Sequence, residues 1–189
     1  MEAVVRCPWC EKDDLYRNYH DKEWGKPVHE DKILFEFLVL EIFQAGLSWH
    51  TVLKKRAHFR NALDGFDYKR IAQYQEEKIQ ELLKNKDIIR NRLKIESIIR
   101  NAGAFLVTQR EFGSFSDYVW SFVGGCPVDI HPKTLGEIPA KTECSTILSK
   151  DLKKRGFMFM GPTVVYAFMQ AIGMVNDHLE GCWTRSKNR

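Results

Sequence analysis

The sixteen residues Leu34-Phe-Glu-Phe-Leu-Val-Leu-Glu-Ile-Phe-Gln-Ala-Gly-Leu-Ser-Trp49 constrain this chain more than any other stretch. Twelve of them are apolar or glycine, so the segment belongs in a core, yet a carboxylate, Glu41, stands in its middle. On a helix of 3.6 residues per turn, Leu34, Phe37, Leu38, Glu41 and Ala45 fall on one stripe, which puts Glu41 where a core residue is expected. Glu36 points elsewhere and has Lys32 one turn back, so it reads as an ordinary surface residue. A carboxylate on an apolar stripe is costly unless something pairs with it. Either an internal arginine or backbone donors satisfy Glu41, or it faces a pocket that takes a ligand with hydrogen-bond donors.

The length of 189 residues fits one globular domain, residues 1–189, with room for two lobes. At 44% hydrophobic and 29% charged residues, disordered and fibrous classes are excluded. A formal charge of +4 does not by itself call for a polyanionic partner, but permits one where basic residues cluster. Met1 to Arg6 is too short for a secretory signal, and Cys7-Pro-Trp-Cys10 interrupts any apolar run. Glu36 and Glu41 break the best candidate for a membrane span. Five cysteines, an odd number, favour reduced thiols or metal ligands over a disulfide framework. The expectation is a cytoplasmic monomer without membrane contact.

Most of the chain reads as helix, and the fold class is all-α. Asp13 and Asp14 precede a helix from Leu15 to about Asp21, and a second runs from Glu30-Asp31 to about Ala45. Ser48 opens a third to about Ala62, Asp67 begins a short one, and Glu76 to Lys84 forms another. After a tight connection, Asn85 to Asn91, the spacing of Leu93, Ile95, Ile98, Ile99, Ala102, Phe105 and Leu106 gives a helix to about Gln109. Ser116 caps a helix carrying Tyr118, Trp120 and Phe122, and Gly124 to Pro139 reads as irregular. A helix with Ile147, Leu148 and Leu152 ends at Lys153-Lys154-Arg155-Gly156. Pro162 starts an apolar helix to about Val175, and Arg185 to Arg189 reads as a frayed tail. There is no internal repeat and no alternating strand pattern.

Tyr16, Tyr19 and His20 share one helix face, with Trp24 just beyond and Trp49 after the Glu41 helix. Such aromatics either fill a core or sandwich a flat heterocycle. Cys7, Cys10 and His20 near one end, and His178 and Cys182 near the other, offer two thiols and two imidazoles for a closed tetrahedral zinc site. That site would join the two ends of the chain; the plain alternative is structural Cys and His. A redox role for Cys7-Pro-Trp-Cys10 would need a preceding strand, and none is visible. Basic residues cluster at Lys54-Lys55-Arg56, at Lys84, Lys86, Arg90, Arg92 and Lys94, and at Lys150, Lys153, Lys154 and Arg155. Each could be a solvated face; the middle group brackets a turn between helices, where backbone N–H groups and basic side chains make a phosphate seat.

Four stretches closely resemble the 3-methyladenine DNA glycosylase I family: Tyr16-x-x-Tyr-His-Asp-Lys-Glu-Trp-Gly25, Gln44-Ala-Gly-Leu-Ser-Trp49, Leu152-Lys-Lys-Arg-Gly-Phe157 and Val175-Asn-Asp-His178. The resemblance runs in order from about Cys7 to Cys182. It implies a helix-hairpin-helix glycosylase fold and excision of 3-methyladenine from alkylated double-stranded DNA, leaving an abasic site. Glu41 matches the family's base-recognition carboxylate and is the candidate catalytic residue. Tyr16, Tyr19, Trp24 and Trp49 match its aromatic pocket, and Cys7, His20, His178 and Cys182 its structural zinc ligands. Lys86, Arg90 and Arg92 are the candidate DNA-binding residues. Two departures stand out. Cys10 is an extra thiol that could compete with Cys7, and Asn85-Lys-Asp-Ile-Ile89 lacks the glycine-rich hairpin usual in the superfamily. The catalytic Asp of many superfamily members has no counterpart identified here, and the resemblance implies that the family manages without it. A zinc-stabilised DNA-binding module with no catalysis is the alternative.

Overall fold

The computed structural model describes residues 4–185. Among them the regular structure is almost all helical: α1 (Asp14–Lys22), α2 (Asp31–Gln44), α3 (Trp49–Ala62), α4 (Tyr68–Ile71), α5 (Glu76–Lys84), α6 (Arg92–Phe112), α7 (Phe115–Ser121), α8 (Glu143–Lys154) and α9 (Pro162–Ala171). Helix starts follow side-chain chemistry. Asp13, Ser48, Asp67 and Asn91 each accept a first-turn backbone N–H, and Thr142 and Ser145 form a reciprocal capping box before α8.

Several boundaries differ from the sequence reading. Ser114, not Ser116, caps α7 by accepting from Asp117 N–H at 2.8 Å, and Ser116 lies inside the helix. Helix α6 continues past Gln109 to Phe112 and stops at Gly113, whose φ of +91° other residues avoid. Helix α9 ends at Ala171, short of Val175. Gly173 has φ +74°, and a Cβ there would meet the Lys26 backbone at 2.3 Å, so the chain must turn at a glycine. Beyond it Val175–Asn176 (β2) pairs in parallel with Val128–Asp129 (β1), inside the stretch read as irregular. Two residues are too few to show an alternation. Leu93 belongs to the apolar repeat by type but is 64% exposed, because two residues before Ile95 falls on the opposite side of α6.

Helix α2 is the centre of the molecule: every residue from Leu34 to Phe43 is buried, so that stretch has no outward face. That overturns the surface reading of Glu36, which is only 7% exposed. It accepts from Arg56 Nε at 2.7 Å and Arg60 Nη2 at 2.6 Å, both from α3.

Distant parts of the chain also meet. Trp183 N–H donates to the Val5 carbonyl at 3.0 Å, and Val28 N–H to that of Ile172 at 3.0 Å. Arg185, read as the start of a frayed tail, is buried and donates to the His178 carbonyl and the Asp129 carboxylate. Residues 186–189 of that tail lie outside the described residues. Among the described residues, no helix is long and apolar enough to cross a membrane.

Candidate functional site

A cavity of about 280 Å³ opens between α1, α2, α3 and α9. Tyr16 and Tyr19 reach it one turn apart on α1, Trp24 from just beyond that helix, Glu41 from α2 and Trp49 from the first turn of α3. The structure thus brings together all five residues that the sequence suggested for a base pocket. Trp9, Ile138 and Gln170 also line it. Trp9 lies within Cys7-Pro-Trp-Cys10, where the two thiols are the stronger chemical signal. Gln170 carried a usable signal, a polar residue on the otherwise apolar end of α9, of the kind that marks Glu41. Nothing in the pattern around Ile138 marks it.

The rings form the walls. Trp9 stands edge-on to Trp24, with centroids 5.0 Å apart, and to Tyr16 at 5.6 Å, while Tyr19 leans on Trp49 at 5.1 Å. Asp13 fixes Tyr16 from behind: one carboxylate oxygen takes Tyr16 N–H at 3.0 Å and the other pairs with His50 Nε2 at 2.5 Å. The His50 ring lies 4.7 Å from that of Tyr16.

Within these walls two buried polar atoms find no hydrogen-bond partner among the described residues, Glu41 Oε2 and Trp49 Nε1. One is an acceptor and the other a donor, so a flat molecule with complementary polar edges would satisfy both. Glu41 is 4% exposed, and burial alone pushes its carboxyl up to about 8. The two carboxylates of α2 therefore have opposite fates. Arginine neutralises Glu36, whereas Glu41 lies in the cavity wall with no cationic partner among the described residues. Burial, and then the Glu41 charge, also raises the Tyr19 hydroxyl well above its ordinary range.

On the far side of Trp24, Cys7, His20, His178 and Cys182 are all buried, with their ligand atoms within 4.8 Å of one another. Cys182 Sγ lies 3.4 Å from His20 Nε2 and 3.6 Å from His178 Nδ1, and Cys7 Sγ lies 3.8 Å from the same His178 nitrogen. Bonds of about 2.0–2.3 Å to a tetrahedral ion separate its ligand atoms by roughly 3.3–3.8 Å, so this cluster could hold a metal ion. Its outer contacts orient the rings: His20 Nδ1 meets Asp21 Oδ1 at 2.8 Å, and His178 Nε2 meets the Trp24 carbonyl at 3.2 Å. The neighbouring Cys7 thiol, followed by His178, His20 and Thr184, holds Cys182 far below the ordinary thiol range, while Cys7 itself is pushed up. Cys10 is buried but is not a member of the cluster. Trp24 packs on both histidines, at 6.0 and 4.6 Å, so the cluster backs one wall of the cavity.

The basic residues of the central group separate into different environments. Lys84, Lys86 and Arg90 are exposed around the α5–α6 turn, which Lys55 braces by donating to the Asp87 carbonyl at 2.9 Å. Arg92 is exposed but pairs with Glu76 at 2.8 Å and Glu96 at 2.7 Å. Lys94 is buried. Its ammonium caps the end of α2, donating to the carbonyls of Phe43 at 3.0 Å and Ala45 at 2.5 Å. In the other two groups, Arg56 is committed to Glu23 and Glu36, and Arg155 to Glu111 and Asp151.

Fold and cavity together define a helical protein with a ring-lined cavity shaped for one flat heterocycle and a basic turn braced by Lys55 of α3. The chain belongs to the methyladenine glycosylase family, whose model matches residues 9–186. It is 51% identical to DNA-3-methyladenine glycosylase 1 of Escherichia coli (strain K12) over 179 residues, covering 95% of this chain and 96% of that protein. It is 49% identical to the DNA-3-methyladenine glycosylase of Haemophilus influenzae, covering 95% and 97%. A solved variant of 3-methyladenine DNA glycosylase I, in complex with 3-methyladenine, superposes with a TM-score of 0.94 at 37% identity, covering 97% of this chain and 99% of that one.

Proposed function

We propose that this protein is a DNA repair glycosylase. It hydrolyses the bond between 3-methyladenine and deoxyribose in alkylated double-stranded DNA, releasing the free base and leaving an abasic site. The observation that carries this reading is Glu41, dry and without a cation in a ring-lined cavity.

Methylation at N3 places a positive charge on the purine, so its bond to the sugar is already weak and strong protonation of the leaving group is not needed. The protein's task is to take the nucleotide out of the stack and hold the cationic base. Tyr16, Tyr19, Trp24 and Trp49 surround the ring. Glu41 accepts hydrogen bonds from the base edge, and a cation beside it favours release of its proton and a charge-assisted contact. Normal adenine, being uncharged, gains less from that contact. When the bond breaks, its electrons leave with the base as neutral 3-methyladenine. Water adds to the sugar carbon and gives up a proton.

The α5–α6 turn is the helix-hairpin-helix grip on the backbone. Lys86 and Arg90 face phosphate directly, and Arg92 joins them in exchange for its carboxylate partners. Two thiols and two imidazoles with no open position suit structural zinc, held by Cys7, His20, His178 and Cys182. A metal held by these four residues would pin the first helix to the segment around Cys182 and would stand apart from the reacting bond. The whole chain works as one glycosylase domain, a monomer in the cytoplasm.

The test is incubation of purified protein with methylated DNA and identification of what is set free. Free 3-methyladenine is expected. Tight DNA binding with no base released would replace this reading with a non-catalytic, zinc-stabilised DNA-binding module.

A further inference from the structure

One buried acid behind the cavity wall has no part in the mechanism above. Asp177 is 0% exposed. Its Oδ2 accepts from Tyr166 hydroxyl at 2.6 Å and from Gln170 Nε2 at 2.8 Å, and its Oδ1 is sealed, without a partner among the described residues. Because neither oxygen opens on the cavity, Asp177 cannot touch a bound base, but Gln170 lines the cavity. An amide is ambivalent, since rotation by half a turn exchanges its donor for its acceptor. Here that rotation is blocked, because it would aim the amide oxygen at a carboxylate.

We propose that Gln170 is a specificity-determining residue, and Asp177 the positioning residue that holds its amide with the carbonyl oxygen available to the bound base. This rests on the glycosylase reading. Along one edge, a 3-methylated adenine presents an exocyclic amine and a 3-methylated guanine an exocyclic oxygen. A fixed acceptor accepts the first and repels the second. Glu41 makes that distinction only while it is ionised, because a carboxyl that holds its proton can donate to an oxygen as well as accept from an amine. The locked amide has no such freedom. The bond to a carboxylate also strengthens the amide oxygen as an acceptor.

The experiment compares initial rates of 3-methyladenine and 3-methylguanine release from the same methylated DNA. The proteins are the unaltered chain, Gln170→Ala, Asp177→Asn and the double variant, and each melting temperature is recorded. The expected result is a roughly tenfold or greater loss of preference for 3-methyladenine in Gln170→Ala, the scale of one buried polar contact. Asp177→Asn should shift the preference the same way, by releasing the amide. The double variant should add nothing further, since both changes act on one contact. If the variants release both bases more slowly in equal proportion, with lower melting temperatures, the role is structural and the proposal is overturned. If the unaltered protein releases no 3-methyladenine, the glycosylase reading fails, and this proposal with it.

Discussion

Replacing Glu41 with glutamine should make the protein more stable and less able to hold its ligand. In the folded state burial raises this carboxyl from 4.5 to about 8, with no compensating cation. The folded protein therefore holds a proton that the unfolded chain releases as pH rises above about 4.5. Through that window the folded state binds more protons, so this group's contribution to stability falls as pH rises. That rise is worth about 5 kcal/mol above pH 8 and about 3 kcal/mol at pH 7, from 1.36 kcal/mol for each tenfold change in proton affinity. Glutamine has the shape of the protonated form and never carries the charge. Glu41→Gln should thus match the unaltered protein near pH 4.5 and unfold at a temperature roughly 6–12 °C higher at pH 7, given the usual 2–4 °C per kcal/mol for a chain of this length. Affinity for free 3-methyladenine should fall roughly 10- to 100-fold, the scale of a charge-assisted hydrogen bond. Thermal unfolding of both proteins from pH 5 to 9, with titration calorimetry of the free base, measures both effects. A gap in melting temperature that does not widen with pH would refute a dry Glu41, and undiminished base affinity would refute its role in recognition.

Three further outcomes follow from other sites. Cys182→Ala should abolish the zinc binding proposed for this cluster and cost at least about 2 kcal/mol, the scale of a lost cross-link between distant parts of a chain. Metal analysis and melting curves check it, with base affinity intact in whatever stays folded. Lys86→Ala and Arg90→Ala should each lower the slope of log DNA affinity against log salt by about one. Arg92→Ala should change it less, because Glu76 and Glu96 already hold that guanidinium. Lys94→Met should leave the Phe43 and Ala45 carbonyls unpaired, destabilise the fold by about 1–3 kcal/mol in denaturant titrations, and weaken base binding by loosening the end of α2.

The helices and several of their caps were legible in the sequence because they depend on neighbours a few residues away, whereas the cap of α7 falls on Ser114 and not on Ser116. Asp13, Ser48, Asp67 and the 3.6-residue apolar spacing act within one or two turns. Glu41 was marked for the same reason, as a charge on an apolar stripe. The resemblance carried by the motifs puts Tyr16, Tyr19, Trp24 and Trp49 in one group. What the sequence could not contain is which charges meet across the fold. Glu36 and Glu41 lie on one helix with similar neighbours, and only the approach of α3, bringing Arg56 and Arg60, made one an ion-paired core residue and left the other facing a cavity. Lys94 and Arg92 sit two residues apart in a basic run. The packing of α6 on α2 buried the first as a helix cap and left the second on the surface. The locking of Gln170 by Asp177 likewise exists only where α9 and the residues after it fold back together, because pairing over such distances depends on tertiary contacts that no local pattern records.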